Sequence, residues 1–167
     1  MEDNTARILK EGVIGGLAAY VSAVLVLALL HVIQGESIFR SAAAMGSVLF
    51  YGEQASEQFA VAAAPVLAYN GVHLVGSLVV GLVAAFFVFE TESHHAFWYF
   101  TFTAVIAAVV YSITIFGVFG VEIGGVLEWS TVLVGTAAWT LALVAYFWWA
   151  HRGLMKEIQE ELKQDAS

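Results

Sequence analysis

The chain has 167 residues, of which 60% are hydrophobic and only 12% are charged. A water-soluble domain with so few charges would precipitate, so this composition excludes an ordinary soluble protein. The formal net charge of −8 gives no reason to expect nucleic acid as a partner, and the absence of cysteine excludes disulfides, thiolate metal sites and iron–sulfur clusters.

Four long apolar stretches predict an all-α membrane protein with a bundle of four transmembrane helices. They cover residues 13–33, 62–89, 97–119 and 131–149. Each can cross a hydrocarbon layer ~30 Å thick, because one crossing takes ~20 helical residues. The whole chain, residues 1–167, is therefore expected to form a single membrane domain whose main partner is the lipid bilayer.

The basic residues predict the orientation of the bundle. Four spans place both termini on one side of the membrane, and five of the six Lys and Arg residues lie on that side: Arg7, Lys10, Arg152, Lys156 and Lys163. Only Arg40 falls in a connection on the opposite side. The positive-inside rule therefore predicts a multi-pass protein of the cell inner (plasma) membrane with both termini in the cytoplasm.

Two shorter helices are predicted outside the spans. Residues 38–51 are largely apolar but too short to cross at ~1.5 Å per residue, which favours a short interfacial helix on the outer side, capped by Ser37. In the cytoplasmic tail, residues 151–167, apolar side chains recur at four-residue spacing from Leu154 to Leu162. This spacing predicts an amphipathic helix on the inner membrane surface.

Small residues recur at the spacing of close helix contacts. Gly12 and Gly16 form such a pair in the first span, and Ser77 and Gly81 form another in the second. Helices associate in lipid by close backbone packing, so these pairs are expected where the bundle contacts itself. A dedicated dimer face is the alternative.

The most chemically suggestive face belongs to the second span. Tyr69, Asn70, His73 and Ser77 project from one side of a helix that is otherwise apolar. Three hypotheses compete for His73. A neutral imidazole could hydrogen-bond to Tyr69, Asn70 or a backbone carbonyl and hold helices together; it could line a site for a quinone, a lipid or a proton; or it could ligate haem.

Haem ligation by two histidines is disfavoured by geometry. His31 is the other intramembrane histidine, and at ~1.5 Å per residue it lies roughly 10 Å from the depth of His73. No cofactor is therefore expected.

A weak metal site is conceivable at the cytoplasmic end. Its candidate ligands are Glu90, Glu92, His94, His95 and His151. Their spacing matches no standard metal motif, so a solvated polar turn is the preferred interpretation.

Three segments resemble a group of small prokaryotic four-span integral membrane proteins. They are FRSAAAMGSVLF, LAYNGVHLVG and EWSTVLVGTAAWTLALVAYFWWAHRG. The resemblance implies the same four-span fold and draws attention to Asn70, His73, Trp129 and His151. It implies no activity.

The sequence favours a protein that is not an enzyme. It contains no nucleophile-triad signature, Walker loop, zincin motif or paired intramembrane carboxylates. The preferred function is an accessory or scaffold subunit that packs against itself or a larger membrane complex. The alternative is a binding function at the Tyr69, Asn70, His73 and Ser77 face.

Overall fold

A computed structural model describes residues 2–51, 61–94, 99–100 and 128–153 of the chain. The helices in these ranges are α1 (Glu2–Ile33), α2 (Arg40–Tyr51), α3 (Ala63–Ser93) and α4 (Trp129–Ala150), and no strand occurs in them. Helices α1, α3 and α4 are each long and apolar enough to cross a membrane. The chain is thus a helical, membrane-type protein, as its composition predicts.

Two predicted elements lie largely or wholly outside the described residues. The predicted third span, 97–119, is represented only by Tyr99 and Phe100, which are helical. The predicted amphipathic helix of the tail falls beyond Gly153, where the described residues end.

Helix α1 begins at Glu2, well before the predicted start of the first span at Val13. The polar first turns stay helical because acidic residues suit a helix N-terminus and because Arg7 pairs with Glu11 one turn later, at 2.9 Å. The helix ends at a glycine turn. Gly35 has a φ of +73°, and the backbone N–H of Glu36 donates to the carbonyl of His31 at 2.8 Å, which closes a Schellman motif.

The three long helices form a bundle in which α1 contacts both α3 and α4. The start of α1 lies beside the ends of the other two, since Glu11 contacts His151 at 2.8 Å and Arg7 contacts Glu92 at 2.9 Å. Helix α1 therefore runs antiparallel to α3 and to α4, and α3 and α4 run parallel to each other.

Glycine allows the closest contact in the bundle, where α1 crosses α3. A Cβ added to Gly12 would lie 2.6 Å from the Cα of Leu82, and one added to Gly16 would lie 2.9 Å from the Cα of Leu78. On the facing helix, a Cβ on Gly81 would overlap the carbonyl oxygen of Gly12. The prediction that these small residues lie where the bundle contacts itself is confirmed.

Helix α2 packs on the start of α3 through its small residues. Ala43, Ala44 and Ser47 are buried, and a Cβ on Gly46 would overlap the carbonyl oxygen of Pro65. Ser37 accepts a hydrogen bond from the N–H of Phe39 in the turn before the helix, which starts at Arg40. A helix thus occupies most of the predicted 38–51 segment, while its place in the outer interface stays a prediction.

The burial pattern suits a protein whose solvent is lipid. Among the described residues, the buried apolar cluster between the long helices consists of Ala19, Ala85, Leu143 and Phe147. Large apolar side chains point outward instead, with Leu25, Leu67 and Leu141 each more than 60% exposed.

Candidate functional site

Asn70, on the predicted polar face, connects α3 to α1. Its side-chain oxygen accepts a hydrogen bond from the Tyr20 hydroxyl at 3.0 Å, and its amide nitrogen donates to the carbonyl of Val66 at 2.8 Å. The amide is therefore used inside the bundle as a contact between two helices.

Ser77 connects α3 to α4. Its hydroxyl is buried and accepts a hydrogen bond from the indole nitrogen of Trp139 at 2.9 Å. The sequence did not predict Trp139 as the partner of Ser77, because Trp139 lies 62 positions away in an apolar span. The available signal was that a buried indole N–H requires an acceptor. A further contact joins α1 and α4, where Ser22 donates to the carbonyl of Ala138 at 3.2 Å.

His73 lies between two tyrosine rings. Its ring centre is 5.4 Å from that of Tyr20 and 5.6 Å from that of Tyr69. Among the described residues, the imidazole has no hydrogen-bond partner, so the expected bond to Tyr69, Asn70 or a backbone carbonyl is not formed there. The predicted face thus separates into Asn70 and Ser77, which join helices, and His73 with Tyr69, which make ring contacts.

A second polar site consists of Arg7, Glu11, Glu92 and His151. We call it the inner cluster because the sequence predicts this end of the bundle to be cytoplasmic. The buried imidazole of His151 places Nδ1 2.6 Å from Glu92 and Nε2 2.8 Å from Glu11. Arg7 contacts the same two carboxylates, each at 2.9 Å. The cluster therefore links α1, α3 and the end of α4.

Both ring nitrogens of His151 face carboxylate oxygens, and which nitrogen donates depends on the tautomer. An open cavity of about 480 Å³ adjoins the cluster and is lined by Ala6, Arg7, Lys10, Glu11, Ile14 and Tyr146.

The weak metal candidates do not assemble into a chelating group within the described residues, where no three His, Asp or Glu side chains are arranged to hold a metal ion. Glu92 and His151 belong to the inner cluster, while His94 is largely exposed and lies 3.8 Å from Glu90. His95 lies outside the described residues.

A third polar site consists of His31, Glu36, Arg40 and Ser41. We call it the outer cluster because the sequence predicts this end of the bundle to lie on the outer side. The imidazole of His31 is only 2% exposed, and it contacts the Ser41 hydroxyl through Nε2 at 2.6 Å and the Glu36 carboxylate through Nδ1 at 2.9 Å. Arg40 Nε contacts the same Glu36 oxygen at 3.1 Å. The sequence indicated His31 only as a candidate haem ligand. Its contact with Glu36 could have been predicted from Gly35, whose turn brings Glu36 back to His31.

No protein-family model, curated protein or solved structure matches this chain. The resemblance to small prokaryotic four-span proteins therefore stays an expectation. The function is therefore inferred from the geometry of the chain itself.

Proposed function

We propose that the protein is an accessory or scaffold subunit of a complex in the cell inner membrane, a role that requires no catalytic step by the bundle. One observation carries the proposal: polar side chains in the middle of the spans join helices to one another. Tyr20 with Asn70, and Ser77 with Trp139, form such contacts. Transporters and channels instead direct polar side chains toward a pathway for the substrate.

The arrangement of α3 and α4 supports the four-span topology of this proposal. These helices run parallel, so the chain between Ser93 and Trp129 has to connect opposite ends of the bundle. The predicted span at residues 97–119 would supply that return and would put both termini on the same side. The basic residues near the termini then favour the cytoplasm for that side.

The outward faces of the long helices are where a partner would bind. Leu25 on α1, Val79 on α3 and Leu141 on α4 are 63%, 53% and 68% exposed. In lipid, apolar exposure alone does not drive association, so a partner helix would have to match the shape of these faces.

Photo-crosslinking in native membranes tests the scaffold proposal. A photoreactive amino acid would replace Leu25, Val79 or Leu141 in turn, and Ala19, which is fully buried, serves as the matched control position. We expect at least one outward position, but not position 19, to crosslink to another polypeptide that mass spectrometry identifies. Crosslinks to lipid alone from all three outward positions would contradict the scaffold role.

A second candidate function is binding of a small hydrophobic ligand, such as a quinone or lipid, or passage of a proton at His73. It is favoured by the absence of a hydrogen-bond partner for this imidazole within the described chain. An unpaired polar group at membrane depth is costly, and a ligand or water would satisfy it.

Replacing His73 by Phe or Gln separates the two functions. Phe preserves an aromatic ring beside Tyr20 and Tyr69 but removes both nitrogens, whereas Gln retains a donor and an acceptor but loses the ring. If the ring contact is all that matters, His73→Phe should be as stable as the wild type and His73→Gln less stable. If the wild type co-purifies with a hydrophobic small molecule that His73→Phe lacks at unchanged stability, the binding function is supported instead.

A further inference from the structure

The outer cluster has the atomic order of a catalytic triad. Ser41 Oγ lies 2.6 Å from His31 Nε2, and His31 Nδ1 lies 2.9 Å from Glu36 Oε2. Serine hydrolases join a nucleophile, a general base and an orienting carboxylate through the two imidazole nitrogens in this way. A catalytic triad is recognised by the geometry of its side chains and not by their order in the chain, which explains why no sequence motif predicted this one.

Each member is held by the local fold. Glu36 follows the glycine turn, where its own N–H donates to the carbonyl of His31 at 2.8 Å. Its carboxylate is also oriented by Arg40, whose Nε lies 3.1 Å from the oxygen that faces the imidazole. Ser41 is the second residue of α2 and is 7% exposed, while His31 closes the last turn of α1.

Two backbone donors lie beside the serine. The N–H groups of Ser41 and Ala42, in the first turn of α2, have no acceptor among the described residues. Unpaired amides at the nucleophile and at the next residue are the type of donor that stabilises the oxyanion formed during acyl transfer. They are an observation additional to the triad distances.

We propose that Ser41 is the nucleophile of an ester-hydrolase site at the outer end of the bundle, with His31 as its general base and Glu36 as a positioning residue. The substrate class is apolar carboxylic esters that reach the site from the membrane surface. Ile38 and Phe39 precede Ser41 by three and two residues and are 46% and 49% exposed, which offers apolar surface next to the nucleophile in the chain. The site is separate from the outward faces of the scaffold proposal and would add an activity to that role.

The reaction balances with water as the only co-reactant. Ser41 Oγ attacks the ester carbonyl while its proton moves to His31 Nε2, and the oxyanion faces the two amides. The intermediate collapses, the ester C–O bond breaks, and the leaving alcohol takes the proton from His31. Water then attacks the acyl-serine with His31 as base, which releases the carboxylic acid and restores the Ser41 hydroxyl.

The test uses the full chain in nanodiscs and an alkyl fluorophosphonate probe, which phosphonylates an activated serine. We expect mass spectrometry to find the adduct on Ser41, and we expect the protein to hydrolyse p-nitrophenyl butyrate. Ser41→Ala should lose both, whereas Ser47→Ala, which removes another buried hydroxyl of α2, should retain both. Absence of a Ser41 adduct, or equal hydrolysis by the Ser41→Ala protein, would overturn the proposal.

Two further variants separate catalysis from a structural role of the cluster. His31→Gln retains hydrogen-bonding atoms but no base, so labelling of Ser41 should slow by roughly 10²- to 10⁴-fold at near-normal thermal stability. Glu36→Gln should lower the maximal labelling rate with little change in the probe concentration at half-maximal rate, and Glu36→Asp should recover part of that rate. Labelling at the wild-type rate in His31→Gln would overturn the proposal.

Discussion

Gly81→Ala tests the closest helix crossing in the bundle. The added Cβ would lie 2.6 Å from the backbone nitrogen of Gly16 and 2.8 Å from its Cα, and it would overlap the carbonyl oxygen of Gly12. These are backbone atoms on a facing helix, so no side-chain rotation relieves the overlap. Ordinary contact requires about 3.5 Å or more, so α1 and α3 have to separate by roughly 1 Å.

The expected magnitude follows from two opposing effects. Overpacking of this kind costs about 1–3 kcal/mol, while exchanging Gly for Ala within a helix gains about 0.5–1 kcal/mol. Gly76 provides the matched control on α3, because a Cβ there meets no described atom within 4 Å. Gly76→Ala should therefore be neutral or slightly stabilising. Because both variants share the gain from Ala, the overpacking cost alone separates them, by about 1–3 kcal/mol.

Thermal unfolding in one detergent, followed by circular dichroism, measures the difference. At about 2–4 °C per kcal/mol for a chain of this size, the Tm of Gly81→Ala should lie roughly 2–12 °C below that of Gly76→Ala. Equal Tm values for the two variants would refute the close crossing of α1 and α3.

The other predictions concern the polar contacts. A double-mutant cycle with Ser77→Ala and Trp139→Phe should give a coupling free energy of about 0.6 kcal/mol, and at most about 1.7, as for other interhelical hydrogen bonds in membranes; zero coupling in unfolding experiments would contradict the contact. His151→Ala removes the imidazole that contacts both Glu11 and Glu92 and should lower the free energy of unfolding by about 1–3 kcal/mol. Arg7→Gln removes a half-exposed partner of the same carboxylates and should lower it by only about 0–1 kcal/mol, so a larger loss for Arg7→Gln than for His151→Ala would contradict the geometry of the inner cluster.

The spans could be predicted because the bilayer imposes a length and an apolar composition on any helix that crosses it. Three of the four predicted spans correspond to α1, α3 and α4, which have the length and composition for a crossing. The extension of α1 back to Glu2 could not be predicted in this way, because its polar first turns carry no hydropathy signal. Arg7 in these turns contacts Glu92, 85 positions away, and the sequence gives no indication of that contact.

The polar face was partly predictable. Its residues could be identified because polar side chains stand out in an apolar helix. Their partners, Tyr20 and Trp139, could not be identified, because they lie on other helices, 50 and 62 positions away in the chain. Helical periodicity predicts which side chains share a face of one helix, but it does not predict which residues of other helices that face contacts. The inner cluster was likewise partly predictable: Glu92 and His151 were grouped as candidate metal ligands, whereas the contact of His151 with Glu11, across 140 positions, was not predicted.

The most direct test of the account is the sidedness of the helix ends, because the proposed function depends on a four-span bundle with α3 and α4 parallel. The chain has no cysteine, so single cysteines can be introduced at the exposed positions Asn4, Gln34, Glu128 and Gly153 and probed with a membrane-impermeant maleimide on intact cells. We predict that Gln34→Cys and Glu128→Cys react from outside, while Asn4→Cys and Gly153→Cys react only after permeabilisation. Reaction of Gln34→Cys and Glu128→Cys from opposite sides of the membrane would contradict the account.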